Sequence, residues 1–489
     1  MKLKSLLGWS SALCLSATML QAQETNETEK LKKQLKETTE KFEKALQEQR
    51  QMIQSLSEKL EAVQKQQAAA TNRDEKATRA AAGASGPNPA RAESPTPKPE
   101  PSLAAQPWSP SQPITVARAG SAYMNISFGA LVDAGWSTDR DVSRQLNLGD
   151  HDPIQRGFSL RNAEVALDGA VDPYLKGFAN IVFKLEKNQD TSIELEEAYL
   201  QSTSLPANLQ LKAGQFFANF GRQNPQHPHQ WAFVDQPLIL TRAFGPDGLR
   251  NIGGQGSWLL PTSFYSEFSL GVLNGQGGTA FNFRNPDGSD TNGLLHGRPT
   301  MDRDLRGPGD LLFVPRFASS VDLTDNQTAL FGASAAFGPN DSGAHERTEI
   351  YGIDLYWKWK SPTAHAGFPF VSWQTEALYS RFEAGPSALL PAETLQDWGF
   401  YSQALWGFKP RWVAGMRGEY VTGNHGLFDP LDVFRGERTR LSPDLTFYPS
   451  EFSKIRLQYN YDHGQHFGVE HSVWVQLEFN LGAHGAHKF

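Results

Sequence analysis

Histidine and ionised side chains carry what chemistry this chain can offer, since it holds twelve histidines and one cysteine. His463, His466 and His471 are spaced by three and five residues, His227 and His229 flank Pro228, and His484 and His487 lie near the end. Imidazoles at such intervals can share a zinc or copper ion where the backbone curls suitably. The same spacing equally suits plain surface histidines. The first trio, His463, His466 and His471, is the candidate zinc site. Cys14 falls inside an N-terminal leader, so the mature chain offers no thiolate and no disulfide. No Gly-x-Ser-x-Gly, HExxH or phosphate-cradling glycine loop is present, and no spacing pairs a nucleophile with a histidine and an acid. The expectation is a protein that is not an enzyme.

Charge recurs at alternate positions, which points to a wet surface opposite a dry one. Lys176, Lys184, Lys212, Arg316, Glu376, Arg417, Glu419, Arg440 and Arg456 share the wet parity, and are the candidate pore-lining residues. Glu164, Asp168, Glu186, Asp444, Lys454, Asp462 and Glu478 share it too. From Ile114 onward about thirty basic residues face forty acidic ones, a net near minus ten. Cationic ladders select phosphate; a balanced set suits ion pairs across strands.

The elements that must position these residues are strands. Met124, Ile126, Phe128, Ala130, Val132, Ala134 and Trp136 alternate with Asn125, Ser127, Gly129, Asp133 and Ser137. Ile455, Leu457, Tyr459 and Tyr461 alternate with Lys454, Arg456, Gln458, Asn460 and Asp462. Val473, Val475, Leu477 and Phe479 alternate with Trp474, Gln476, Glu478 and Asn480. A period of two sustained this long marks strands with one apolar and one polar face. About sixteen such segments fit residues 114–489, joined alternately by short turns and long polar loops, as in a transmembrane β-barrel. Trp357, Trp359, Trp398, Trp406 and Trp412 suit interfacial girdles. On length alone, the stretch from Asn274 to Leu312 is the first candidate for a loop that constricts the bore. Trp231, Phe233 and Asp235 mark a second.

Ahead of the barrel, Lys2 and Lys4 followed by an apolar run predict a signal peptide over 1–22. Leu35, Phe42, Gln49, Leu56 and Val63, with Leu31, Ala45 and Met52, predict a periplasmic coiled coil over 27–67. Alternate prolines within 68–113, an Ala- and Pro-rich stretch, predict an extended linker.

Glu196-Glu-Ala-Tyr-Leu200, Leu211-Lys-Ala-Gly-Gln-Phe-Phe-Ala-Asn-Phe-Gly-Arg222 and the closing strands resemble the phosphate-selective porin O and P family. Phe217 and Asn219 stand where that family's pattern has Lys and Pro. Asn224-Pro-Gln-His-Pro-His-Gln-Trp231 and Tyr448-Pro-Ser-Glu-Phe452 are similar to a branch usually labelled zinc-regulated outer-membrane receptors. The resemblance implies a sixteen-stranded, trimeric channel in the outer membrane. It speaks to fold more than to solute. The function expected is a porin-like channel for passive diffusion of small hydrophilic solutes or ions. Alternatives are a metal-linked receptor, or an envelope tether in which the coiled-coil arm touches peptidoglycan. The partners expected are outer-membrane lipid, the barrel-insertion machinery and two further copies in a homotrimer, with no nucleic acid.

Overall fold

The computed structural model describes Lys36 and residues 113–286, 293–429, 432 and 435–482. The predicted leader at 1–22, the coiled coil at 27–67 apart from Lys36, the linker up to residue 112, and His484 and His487 lie outside the described residues. Those from 113 onward belong to one compact unit, Leu103–Phe489.

The period-two segments are strands. In chain order they are β1 (Ile114–Ala119), β2 (Ala122–Ser137), β3 (Gly157–Ala170), β4 (Leu175–Leu185), β5 (Thr191–Ser202), β6 (Leu209–Phe217), β7 (Arg250–Leu259) and β8 (Tyr265–Leu273). A two-residue pair follows, β9 (Leu294–Leu295) and β10 (Arg298–Pro299). Then come β11 (Leu312–Thr324), β12 (Gln327–Pro339), β13 (Arg347–His365), β14 (Phe368–Ala384) and β15 (Glu393–Lys409). The series ends with β16 (Trp412–Gly423), β17 (Arg438–Ser450), β18 (Ser453–Gly464) and β19 (Gly468–Leu481). Sixteen of these, β2–β8 and β11–β19, form one antiparallel ring. The β8–β11 ladder bridges the longest connection, and the β19–β2 ladder closes the barrel. Among the described residues no helix is long and apolar enough to cross a membrane.

Side-chain alternation orients the wall. In β18, Lys454, Arg456, Gln458, Asn460 and Asp462 are buried in the bore, while Ile455, Leu457, Tyr459 and Tyr461 face outward. In β19 the buried set is Ser472, Trp474, Gln476, Glu478 and Asn480, and the outward set is Val473, Val475, Leu477 and Phe479. Such an apolar exterior would be untenable in water over so large an area; it is a lipid-facing band. Trp406 and Trp412 flank the 410–411 turn, and Trp412 packs on Phe447 with ring centroids 4.7 Å apart. Trp357 lies opposite Trp373. These aromatics mark one rim of the band.

One end of the barrel has only short turns, at 171–174, 203–208, 260–264, 325–326, 366–367, 410–411 and 451–452. The other carries the long connections 138–156, 218–249, 274–311 and 424–437. Below the last paired residue of β19, where Leu481 meets Phe128, the same edge of β2 is taken by β1. β1 pairs from Ile114↔Ile126 down to Ala119↔Ala122, so both ends of the barrel sequence meet at one seam.

Two β-bulges shape the inner wall near the long loops. Asn180 pairs with Glu197 but Ile181 pairs with Leu195, so Glu196 is the extra residue. Glu196 and its neighbour Glu197 are both buried as a result. In β3, Leu131 pairs with Asn162 but Asp133 with Ser159, and the adjacent Arg161 and Asn162 are both buried.

Candidate functional site

The residues between β6 and β7 cross the bore. Asn224 closes the neck of this 218–249 loop: its amide donates to the Ala218 and Leu249 carbonyls (2.9 and 3.0 Å), and its Oδ1 accepts from Leu249 N (2.8 Å). Gly221 turns the chain with φ of 59°, where a Cβ would run into the Glu376 carboxylate. Arg222 N and Gln223 N donate to Glu376 Oε1 on β14 (3.1 and 2.7 Å), and the Tyr401 hydroxyl of β15 donates to the same oxygen (2.6 Å). The Arg222 guanidinium stacks 3.9 Å above the Tyr356 ring.

The loop then returns to the bulged wall. His227 Nδ1 lies 2.7 Å from Glu196 and Nε2 lies 2.9 Å from Glu197, while His229 Nδ1 lies 2.6 Å from Glu164 on β3. Burial alone would push the His227 imidazole down, yet the Glu196 and Glu197 carboxylates hold it well above its ordinary range. Farther on, Lys454 Nζ donates to the His229 carbonyl and Arg456 to the Trp231 carbonyl, both at 2.9 Å.

Asp235 forms the second anchor. Its carboxylate accepts from Arg417, from Arg440 Nη1 (2.5 Å), from Gln458 Nε2 (2.9 Å) and from Asn460 Nδ2 (2.9 Å). Burial opposes its charge, but the two guanidiniums hold the carboxyl well below the usual range. Arg417 is also ion-paired with Glu419 (2.7 Å) and Arg440 donates to Asp462 (2.9 Å), so three strands of the far wall, β16, β17 and β18, share one network. Pro237 then starts a short helix, α1 (Leu238–Phe244), whose first N–H reaches Glu419 (2.7 Å). Leu238, Ile239, Leu240, Ala243 and Phe244 pack into an apolar cluster with Phe216, Phe220, Phe283, Leu378 and Val421 inside the barrel. Asn282, from the 274–311 loop, donates to the Arg242 and Ala243 carbonyls at the helix end.

Both loop candidates reach into the bore. The stretch from Asn274 to Leu312 is longer, but it packs against the end of α1 and pairs His296 with Asp432 (2.7 Å). The segment containing Trp231, Phe233 and Asp235 docks to both walls, and the longer stretch has wall anchors of its own, Asn251 on the Gln276 carbonyl and Arg298 on Glu393.

Of the charged candidates, Glu376, Arg417, Glu419, Arg440 and Arg456 are buried and grip this loop. Arg316 is buried against Asp354 (2.7 Å) and Ser334 (2.8 Å) on neighbouring strands. Lys184 bridges Asp150 and Glu194. Lys212 is half-buried above the Tyr199 and Phe216 rings, and Lys176 is exposed at the short-turn rim. Several charges expected to pair strand to strand instead pair wall to loop.

The histidine trio is not brought together. His463 and His471 continue the outward parity of their strands and are exposed, and His466 sits in the 465–467 turn. His471 Nδ1 lies 2.6 Å from the Tyr459 hydroxyl. Among the described residues, ligand-type atoms converge elsewhere, at Glu164, Glu196 and His227, and at Asp150, His151, Glu194 and Asp247. Sequence reasoning missed His151 and Asp247. Only the bulges and the loop's return path bring them to Glu196.

No protein-family model matches the chain. The outer membrane channel DcaP of Acinetobacter baumannii superposes with a TM-score of 0.51 at 12% identity, covering 74% of this chain and 99% of that one. OmpT of Vibrio cholerae, expressed in the outer membrane, gives a TM-score of 0.45 at 7% identity over 74% and 99% of the two chains. The likeness to DcaP is one of fold. In sequence, a protein of Aquifex aeolicus (strain VF5), described as uncharacterized, is 32% identical over 363 residues, covering 68% of this chain and 71% of that protein. With that identity over most of both chains, this chain and the Aquifex aeolicus protein belong to one family.

Proposed function

We propose that the protein is a porin-like outer-membrane channel through which small hydrophilic solutes or ions diffuse passively, its bore narrowed by the 218–249 loop. One observation carries the reading: a closed sixteen-stranded barrel, apolar outside and ionised inside, encloses a loop docked to facing walls. Loop anchors of this kind set the width and the field of a passage, which is how selectivity arises in a pore. The basic side chains of the bore are matched by carboxylates, as in Arg316–Asp354, Arg440–Asp462 and Lys454–Glu478. That balance favours a weakly selective channel over the phosphate selectivity the resemblance would suggest. The resemblance also supports a homotrimer, delivery by the barrel-insertion machinery, and a periplasmic N-terminal arm able to reach peptidoglycan.

The test is planar-bilayer recording of the refolded full chain, with reversal potentials in asymmetric KCl. Stepwise conductance with a mild cation preference is expected. Bilayers that stay silent at all voltages would instead favour a barrel that serves as an anchor.

A further inference from the structure

His151 Nε2 faces two buried carboxylate oxygens beside the loop. His151 Nε2, Glu196 Oε1 and Asp247 Oδ1 have no contact with solvent, and none makes a hydrogen bond. Nε2 lies 3.5 Å from each of the two carboxylate oxygens. The other ring nitrogen, Nδ1, lies 3.2 Å from the Arg161 carbonyl, which can only accept, so the ring proton belongs on Nδ1. Nε2 then presents a lone pair. With Asp247 ionised, three acceptors meet with no donor among them, an arrangement that costs free energy unless a cation or a proton satisfies it.

The two 3.5 Å separations from Nε2 match an ion's ligand shell. Bonds of about 2.0–2.2 Å at tetrahedral angles place ligand atoms roughly 3.3–3.6 Å apart. His151, Glu196 and Asp247 also line a cavity of about 10 Å³, room for a single water-sized occupant, and the Gln236 amide borders it. Outer partners hold the ligands in place: Glu196 Oε2 is fixed by His227 and Asn180, both at 2.7 Å, and His151 by the Arg161 carbonyl. Asp150 and Glu194 lie close by, engaged with Lys184, and add negative potential. One imidazole with two carboxylates suits a borderline divalent ion such as zinc or cobalt(II), and disfavours soft copper(I).

We propose that His151, Glu196 and Asp247 bind one divalent transition-metal ion, which ties the 138–156 and 218–249 loops to β5. The site differs from the exposed His463 group, and it stands whether or not the barrel conducts.

The test is zinc binding to the refolded full chain after chelator treatment, read as zinc retained through dialysis, with cobalt(II) absorption reporting the ligand set. One ion per chain is expected, with affinity falling at least a hundredfold in His151→Ala and in Asp247→Asn, and unchanged in a His463→Ala/His466→Ala double variant. No stoichiometric retention by the intact chain would overturn the proposal. So would binding that survives both site variants, or binding lost in the double variant. Should His151→Ala fail to refold, the near-isosteric Asp247→Asn decides, together with the His151 Nε2 resonance of the 15N-histidine-labelled intact chain. That resonance must shift on adding one equivalent of zinc, and a static resonance refutes the site.

Discussion

Replacing Asp235 with alanine should free the loop from the far wall while leaving the barrel closed. The carboxylate is 1% exposed and takes hydrogen bonds from Arg417, Arg440, Gln458 and Asn460. Removing one partner of a buried ion pair costs about 3–5 kcal/mol, because the partner charge is left uncompensated. Here each guanidinium keeps another carboxylate, Arg417 with Glu419 and Arg440 with Asp462. The lower end, about 3 kcal/mol, is therefore the better figure. At 1.4 kcal/mol per decade, that moves the docked-to-undocked ratio of the loop by roughly a hundredfold. Single-channel recording should show new substates of higher conductance and faster current noise. The reversal potential should also move toward anions, since one negative charge has left the bore. Asp235→Asn, which keeps an acceptor but loses the charge, should fall between. The reasoning fails if Asp235→Ala reproduces the parent's conductance distribution and reversal potential while its unfolding transition in detergent is unchanged.

Gly221→Ala should weaken the same loop at its other crossing. The left-handed backbone alone costs a Cβ about 1–2 kcal/mol, and the new methyl would also displace the Glu376 carboxylate that anchors Arg222 and Gln223. Limited proteolysis of the folded protein should cut near 221 faster than in the parent. On the outer face, Leu457→Arg should lower barrel stability in vesicles by up to about 2–4 kcal/mol, the range for a lipid-facing arginine near the midplane; a neutral effect in denaturant titration would contradict the outward assignment of Leu457. For pH, burial lifts the Asp341 carboxyl to about 6, against about 3.9 in an unfolded chain. The folded state then holds the proton more tightly, so stability should decline as pH rises from about 4 to about 6 and level off above. Asp341→Asn should flatten that decline when unfolding midpoints are compared across this window.

The wall was legible because its code is binary. In β2, β18 and β19 every second residue meets lipid and the others meet the bore, and nothing but parity is needed to read it. Parity also places His463, which continues the outward series of Ile455 through Tyr461. The interior was harder. Glu196 and Glu197 are both buried only because a bulge inserts one residue opposite Asn180, and such an insertion leaves no mark in composition. Asp247 meets His151 through a contact between residues nearly a hundred positions apart, fixed by the path of a loop. The 218–249 segment carries one signal, a proline before a short apolar run, Leu238 to Phe244, amid polar sequence. An apolar helix has no reason to lie in an outer loop unless it folds inward.

The seam beneath β19 has a mechanical meaning. β1 enters the wall at Ile114 and is held to β2 by a short ladder ending at Ala119↔Ala122. A pull on the chain ahead of Ile114 loads that hairpin alone, whereas β2 is held along its remaining length by β19 and β3. Force delivered through the N-terminal segment would strip six residues from the rim before it reached the ring. β1 is then a fuse, lengthening under load while the barrel stays shut.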